Sequence, residues 1–465
     1  VGLRFDLSLY SFHLNGEASL KRFVLKALTK CVCISILTAC QTTKVSTVTK
    51  SVSPNDVAAK IQPGYSDRVS LLKTRPAVQA AFESIESHRA ENIDKLIELT
   101  EIPAPPFGED LRGKRIAEMF REVGLVDVQT DAVGNIIARR SGKTGAKTIA
   151  MAAHIDTVFP IETDVTVRKE GDTYIAPGIG DNTRGVILML SLIKAMEAHN
   201  IQTDADLLFI GNVGEEGLGD LRGVKHLYRQ DGPRIDALIA VDGGRQNRLI
   251  YGGVGSHRYR VTYKGRGGHS WGSFGSANPH HALGRAISLF SESASDITSE
   301  GPKSSFSVGR IGGGTSINSI AFESWMEVDM RSGDAGKLNA VDAIFQDAVE
   351  KGLEEENAAR TRGPELTVEV KSVGRRPAGV APPEQPLIQD AMAAMKGMGI
   401  EPNLRISSTD ANIPISMGKP AITISRGGVT KGAHGLDEYW HDKDSHVSIQ
   451  LALLIVLAQA GYVAP

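Results

Sequence analysis

Four short apolar runs, at residues 148–153, 206–213, 236–241 and 421–425, alternate with stretches of helical period such as 185–198 and 448–460. Runs without polar alternation need cover on both faces, so this order predicts an α/β sheet flanked by helices. Ligands of open α/β sheets gather beyond the carboxyl ends of the strands. Residues 151–153 lead into His154-Ile155-Asp156, 209–213 into Glu215-Glu216, 238–241 into Asp242, and 421–425 toward His434. Asp181 ends the glycine loop Pro177-Gly178-Ile179-Gly180-Asp181, just before a helix. Five segments thus deliver metal-ligating chemistry to one edge.

A stretch of different texture interrupts this pattern at 253–373. It reads strand 259–264, helix 279–291, strand 306–311, strand 325–331, helix 338–351, strand 366–373. That β-α-β-β-α-β order is ferredoxin-like and predicts a small domain inserted into the larger one. The expected division is a leader at 1–40, a tether at 41–77, a first catalytic segment at 78–252, the inserted lid at 253–373 and a second catalytic segment at 374–465. The catalytic part is expected to begin at Val78, where Ala81, Phe82, Ile85 and then Ile93, Leu96 and Ile97 take up helical spacing.

The mix is an ordinary globular one, with 41% apolar and 23% charged residues. Lys plus Arg number 52 against 54 Asp plus Glu, so no basic excess exists to neutralise a nucleic acid, and none is expected as partner. The three cysteines, Cys31, Cys33 and Cys40, all precede the folded part, so any metal there must be held by His, Asp and Glu. In the leader, Lys21, Arg22, Lys26 and Lys30 precede an apolar run at 31–39 that is far shorter than the roughly 20 residues of a spanning helix. Leu37-Thr38-Ala39-Cys40 resembles the lipobox of bacterial lipoproteins, which implies cleavage before Cys40, lipidation of that cysteine and a periplasmic catalytic domain at the envelope. The Thr-, Ser- and Lys-rich segment after it suits a solvated tether.

In an extended chain the side chains of His154 and Asp156 lie on one side, so Asp156 could fix the tautomer of His154; a His-Asp pair in a turn is the bland alternative. Glu215 and Glu216 face opposite ways, leaving one to bind metal and the other to face water, or both to lie in a solvated loop. Two divalent cations carry +4, matched by Asp181, Glu216, Asp242 and one hydroxide, with His154 and His434 neutral. Carboxylates mixed with imidazole suit zinc, with cobalt or manganese as substitutes.

Assembled, the chain resembles the zinc-dependent exopeptidase and amidohydrolase family of tripeptidase T, glutamate carboxypeptidase, aminoacylase and acetylornithine deacetylase. The resemblance runs from Val78 to the C-terminus. It rests on Ala153-His154-Ile155-Asp156-Thr157-Val158, Gly178-Ile179-Gly180-Asp181-Asn182, Gly214-Glu215-Glu216-Gly217, Gly267-Gly268-His269-Ser270, Gly314-Thr315-Ser316-Ile317-Asn318, Val328-Asp329-Met330-Arg331 and Ala433-His434-Gly435. It implies that His154 and Asp242 hold one zinc, Glu216 and His434 the other, and that Asp181 bridges them. Glu215 is then the general base, taking a proton from the attacking water and passing it to the leaving amine. His269, often from the partner subunit of a lid-mediated dimer, would stabilise the oxyanion, and Arg331 and Asn318 would grip the substrate. Without the family, His269 caps a glycine turn and Arg331 pairs with Asp329. Aspartate at 242 resembles the aminopeptidases and dipeptidases, so the expected substrates are di- or tripeptides. N-acyl amino acid deacylase or carboxypeptidase activity is the alternative.

Gly268-His269-Ser270-Trp271-Gly272 also fits the nucleophile elbow of serine esterases, which requires a strand, one sharp turn and an immediate helix. Residues 271–277 intervene before the helix-starting Asn278-Pro279, so that context fails. A lipid-anchored protein that keeps the fold and only binds ligands is the third class considered.

Overall fold

The computed structural model describes residues 59–464; the leader, the lipidation candidate Cys40 and residues 41–58 of the expected tether lie outside them. Among the described residues no helix is long and apolar enough to cross a membrane.

The catalytic part is built on a nine-stranded mixed sheet. Its centre consists of Asp206–Asn212, Thr148–His154, Ala237–Val241 and Ala421–Ile424, paired in parallel in that order. Alternate residues of the central strands feed two separate cores, as the two-residue period requires. Ile149, Met151, Leu207 and Phe209 join the larger core with the helices Arg184–Ala198, Pro386–Gly397 and Ser445–Ala460. Ala150, Ala152, Leu208 and Ile210 face the other way, onto Leu221, Val224, Leu227, Ile413 and Ile415. The strands Asp127–Thr130, Ile136–Arg140 and Arg248–Gly253 run antiparallel to neighbours, which makes the sheet mixed.

The inserted segment forms a four-stranded antiparallel sheet in the spatial order Ser304–Gly313, Glu323–Ser332, Gly255–Lys264, Thr367–Arg376. The helices Pro279–Ser299 and Ala335–Ala359 pack on it through Phe290 and Phe345, over Val261, Tyr263, Met326, Val328 and Met330. All six expected elements are present, each longer than expected.

The expected tether at 41–77 needs correction at its C-terminal end. Tyr65–Lys73 is a helix that buries Val69 and Leu72 in the main core, and Arg68 pairs with Asp390 across it. Two buried positions in nine residues are too few to display a period, which is why the segment reads as linker. Residues 268–279 behave as expected of a non-elbow: Ser270 follows the two-residue strand Gly268–His269, and the next helix begins at Pro279.

Candidate metal centre

The three parallel strands Thr148–His154, Asp206–Asn212 and Ala237–Val241 end at the same level, with His154 opposite Asn212 and Ala152 opposite Ala240. His154 is therefore the last residue of its strand, Asp242 the first after its own, and Glu215-Glu216 follow Asn212 through a turn. That turn needs a glycine at 214, where φ is +66° and a Cβ would lie 2.1 Å from the Arg222 guanidinium. The carboxylate of Asp156, wholly buried, then accepts the main-chain N–H of Glu215 at 3.0 Å and of Glu216 at 2.8 Å.

Among the described residues, three groups could hold a cation, each with ligand atoms within 4.8 Å of one another: His154, Asp181 and Asp242; Asp181, Glu216 and His434; and His154, Glu215 and Glu216. The first two share Asp181, and the third links the histidine to the glutamate turn. His154 Nε2 lies 3.3 Å from Asp181 Oδ1, and His434 Nε2 lies 3.7 Å from Asp181 Oδ2 and 3.0 Å from Glu216 Oε1. Nδ1 of His154 donates to the main-chain oxygen of Asp156 at 3.1 Å, which leaves Nε2, on the Asp181 side of the ring, as the atom that would take a metal. The expected role of Asp156 thus divides: its carbonyl orients the histidine, while its carboxylate anchors the glutamate turn.

Burial opposes a charge on His154, yet Asp181, Asp156 and Asp242 together hold its pKa well above the ordinary histidine value. The hydrogen bond to Glu216 raises that of His434. Burial lifts Asp242, with Asp181 adding to the effect. A field that favours protons on two imidazoles favours a divalent cation among the same atoms, and the mixed imidazole and carboxylate donors suit zinc. The residues fit the metal.

Several participants escape sequence reasoning. Arg426, 3% exposed, donates from Nη1 to Asp181 Oδ1 at 2.7 Å and to Asp242 Oδ1 at 3.2 Å. Glu438 accepts the main-chain N–H groups of Gly178, Gly180 and Asp181 at 3.0, 2.9 and 2.8 Å and so shapes the loop that presents Asp181; burial pushes its pKa up to about 7. Asp410, held by Asn212 at 2.8 Å, is pushed up to about 6 by burial. Arg376 bonds Glu215, whose pKa burial raises while the guanidinium opposes the rise. Arg426 and Arg376 each add a positive charge absent from the sequence-based count; Arg376 offsets Glu215, and Asp410 or Glu438 can offset Arg426.

The metal-type residues, Glu215 and Arg331 line one cavity of about 500 Å³. Arg331 also pairs with Asp329 at 2.8 Å, sharing that carboxylate with Arg258, whose Nη1 donates to the Gly217 carbonyl at 3.0 Å. Arg331 thus pairs with Asp329 while lining the cavity. His269 and Asn318 stand apart from the lining. Both are exposed, beside a two-stranded antiparallel ladder in which Gly268–His269 pairs with Ser319–Ile320 and the Ser270 N–H bonds the Asn318 carbonyl at 2.9 Å.

The model of the family described as peptidase family M20/M25/M40 matches residues 150–458, more than half of the chain. Succinyl-diaminopimelate desuccinylase of Corynebacterium glutamicum is 25% identical over 269 residues, covering 55% of this chain and 72% of the relative. A tripeptidase from Staphylococcus aureus superposes with a TM-score of 0.65 at 20% identity, over 80% of this chain and 98% of its own. A dipeptidase from Saccharomyces cerevisiae superposes with a TM-score of 0.64 at 15% identity, over 82% and 98%.

Proposed function

The chain belongs to peptidase family M20/M25/M40 and is a metal-dependent hydrolase; from that premise we propose a dinuclear zinc exopeptidase that cleaves di- and tripeptides with a free carboxyl terminus. One observation carries the dinuclear reading: the two oxygens of Asp181 face different histidines, Oδ1 toward His154 and Oδ2 toward His434. In this reading His154 and Asp242 hold one ion, Glu216 and His434 the other, and Asp181 bridges them.

Bound divalent ions supply Lewis acidity, acidifying a water and polarising the amide carbonyl. Glu215 takes the proton of the attacking water and delivers it to the departing amine, a task suited to a carboxyl whose pKa burial raises. Arg376 holds that carboxyl in place. Arg331, steadied by Asp329, takes the substrate carboxylate as a bidentate partner.

The inserted sheet and its two helices serve as the ferredoxin-like lid, and a second subunit brings His269 and Asn318 to the cavity. Anchorage at a bacterial envelope through Cys40 completes the proposal. The test is a panel of dipeptides, tripeptides, N-acetyl amino acids and C-terminally amidated peptides, assayed with zinc, cobalt and manganese. Free peptides are expected to be cleaved and amidated ones to bind poorly. Cleavage of N-acetyl amino acids alone replaces the peptidase reading with a deacylase.

A further inference from the structure

Six arginines line the cavity: Arg245, Arg248, Arg258, Arg331, Arg376 and Arg426. Four have carboxylate partners. Arg376 pairs with Glu215, Arg426 with Asp181 and Asp242, and Arg258 and Arg331 share Asp329. Among the described residues, Arg245 and Arg248 make no ion pair with a carboxylate, although both follow closely on Asp242.

Local structure directs Arg248 inward, while Arg245 lines the cavity from an exposed position. Arg248 opens the strand Arg248–Gly253, where Arg248 and Ile250 line the cavity while Leu249 and Tyr251 enter the main core. Arg405 stands on the strand Asn403–Ser407, which pairs in parallel with Arg248–Gly253. Burial lowers the pKa of Arg248, and Arg405 and Arg245 depress it further, against the pull of Asp242. Clustered guanidinium groups facing a half-enclosed cavity gain most from a bound anion.

The two arginine pairs adjoin different carboxylates of the site. Arg258 bonds Gly217, next to Glu216, whereas Arg248 lines the cavity near Asp242. If Arg331 takes the carboxylate of the amine portion of the substrate, the Arg245 and Arg248 wall adjoins the acyl portion. Resting on the peptidase reading, we propose that Arg245 and Arg248 form a second carboxylate subsite, and that preferred substrates carry an acidic group on the acyl side of the scissile amide. The carboxylate comes from an amino-terminal Asp or Glu, or from a dicarboxylic acyl cap.

The experiment compares kcat/KM for Glu-Ala against Gln-Ala, and for N-glutaryl-alanine against its side-chain amide, in the zinc-loaded wild type and the R245Q/R248Q variant. The wild type is expected to favour the charged member of at least one pair by ~10-fold or more, the scale of one charge-assisted contact. The ratio should fall to about one in the variant, with R245Q alone, at an exposed position, giving part of the loss. Preference within the dipeptide pair identifies an acidic residue, and preference within the glutaryl pair an acyl cap. A wild-type ratio near one, or a ratio that the substitutions leave unmoved, overturns the subsite. Calorimetric binding of glutarate to the same proteins separates this failure from that of the peptidase reading. If no substrate turns over yet R245Q/R248Q binds glutarate several-fold more weakly, the subsite stands and the peptidase reading falls. Equal binding by both proteins ends the subsite.

Discussion

Arg376 grips both the side chain and the main chain of Glu215: Nη1 donates to Oε1 at 2.9 Å, and Nη2 donates to the carbonyl oxygen. Its Nη1 also reaches Ser408 Oγ at 2.9 Å. The residue closes the strand Thr367–Arg376, so the inserted sheet contributes directly to the position of the proposed base.

Glu215→Gln is expected to retain metal and lose ~10²–10⁴ in turnover. Arg376→Gln tests the grip. Burial raises the Glu215 pKa and Arg376 opposes that rise, while Glu216 and Asp410 push upward and His154 downward. Removing the guanidinium should therefore raise the pKa further. Since the base works ionised, the acid limb of the kcat/KM profile moves to higher pH. A limb that stays in place while only the melting temperature falls would reduce Arg376 to a structural residue.

Asp156 is a second lever on the same turn. In Asp156→Asn one of two acceptors becomes an NH₂ group facing a main-chain N–H. We expect a loss of about 1–3 kcal/mol in urea unfolding and a drop of ~10–100-fold in zinc affinity. Unchanged zinc titration would show that the turn holds its shape without the paired acceptors.

Metal stoichiometry distinguishes the bridging residue from the terminal ones. Asp181→Asn should remove both ions, because its two oxygens serve both groups, whereas His434→Gln should leave one. Elemental analysis after zinc loading and gel filtration gives the count. Zinc at 100 times its dissociation constant should stabilise the wild type by about 2.7 kcal/mol, and less of this gain should survive in His434→Gln. Two ions retained by Asp181→Asn would dismantle the bridging assignment.

The proposed ligands were legible because each stands just beyond an apolar run or a glycine loop, where chain order and chemistry coincide. Their supports were not. Arg376 meets Glu215 161 residues away and Arg426 meets Asp181 245 residues away, and neither arginine occupies a position with local periodicity. Glu438 shapes the Asp181 loop from a distance of 257 residues, through main-chain donors that no side-chain pattern reveals. The strand Arg248–Gly253 went unseen because its cavity-facing arginine replaces the apolar residue that would mark a strand. Element types in the inserted domain were readable because the strand Glu323–Ser332 alternates strictly between partly buried and buried positions.

The docked helix Tyr65–Lys73 allows a simple stability test. Leu72 is buried against the main core, and Leu72→Ala should cost about 2–5 kcal/mol in urea unfolding with the slope unchanged. A negligible cost would return the segment to the tether.

His269 and Asn318 pose the sharpest question about assembly, since both are exposed at a short two-stranded ladder and neither lines the cavity of its own chain. If a second subunit supplies them, each site in a dimer combines Glu215 of one chain with His269 of the other. Homodimers of Glu215→Gln and of His269→Ala should then both be nearly inactive. Co-refolded in equal amounts, they form hybrids in about half of the dimers, and each hybrid holds one site with both residues intact. Activity should therefore return to about a quarter of the wild-type value per chain. If His269 instead acted within its own chain, the hybrid would contain one site lacking the base and one lacking the histidine, and mixing would restore nothing. Recovery on mixing thus requires a two-chain site, and its absence alongside a dimeric mass in solution would overturn the contribution of His269 across the subunit boundary.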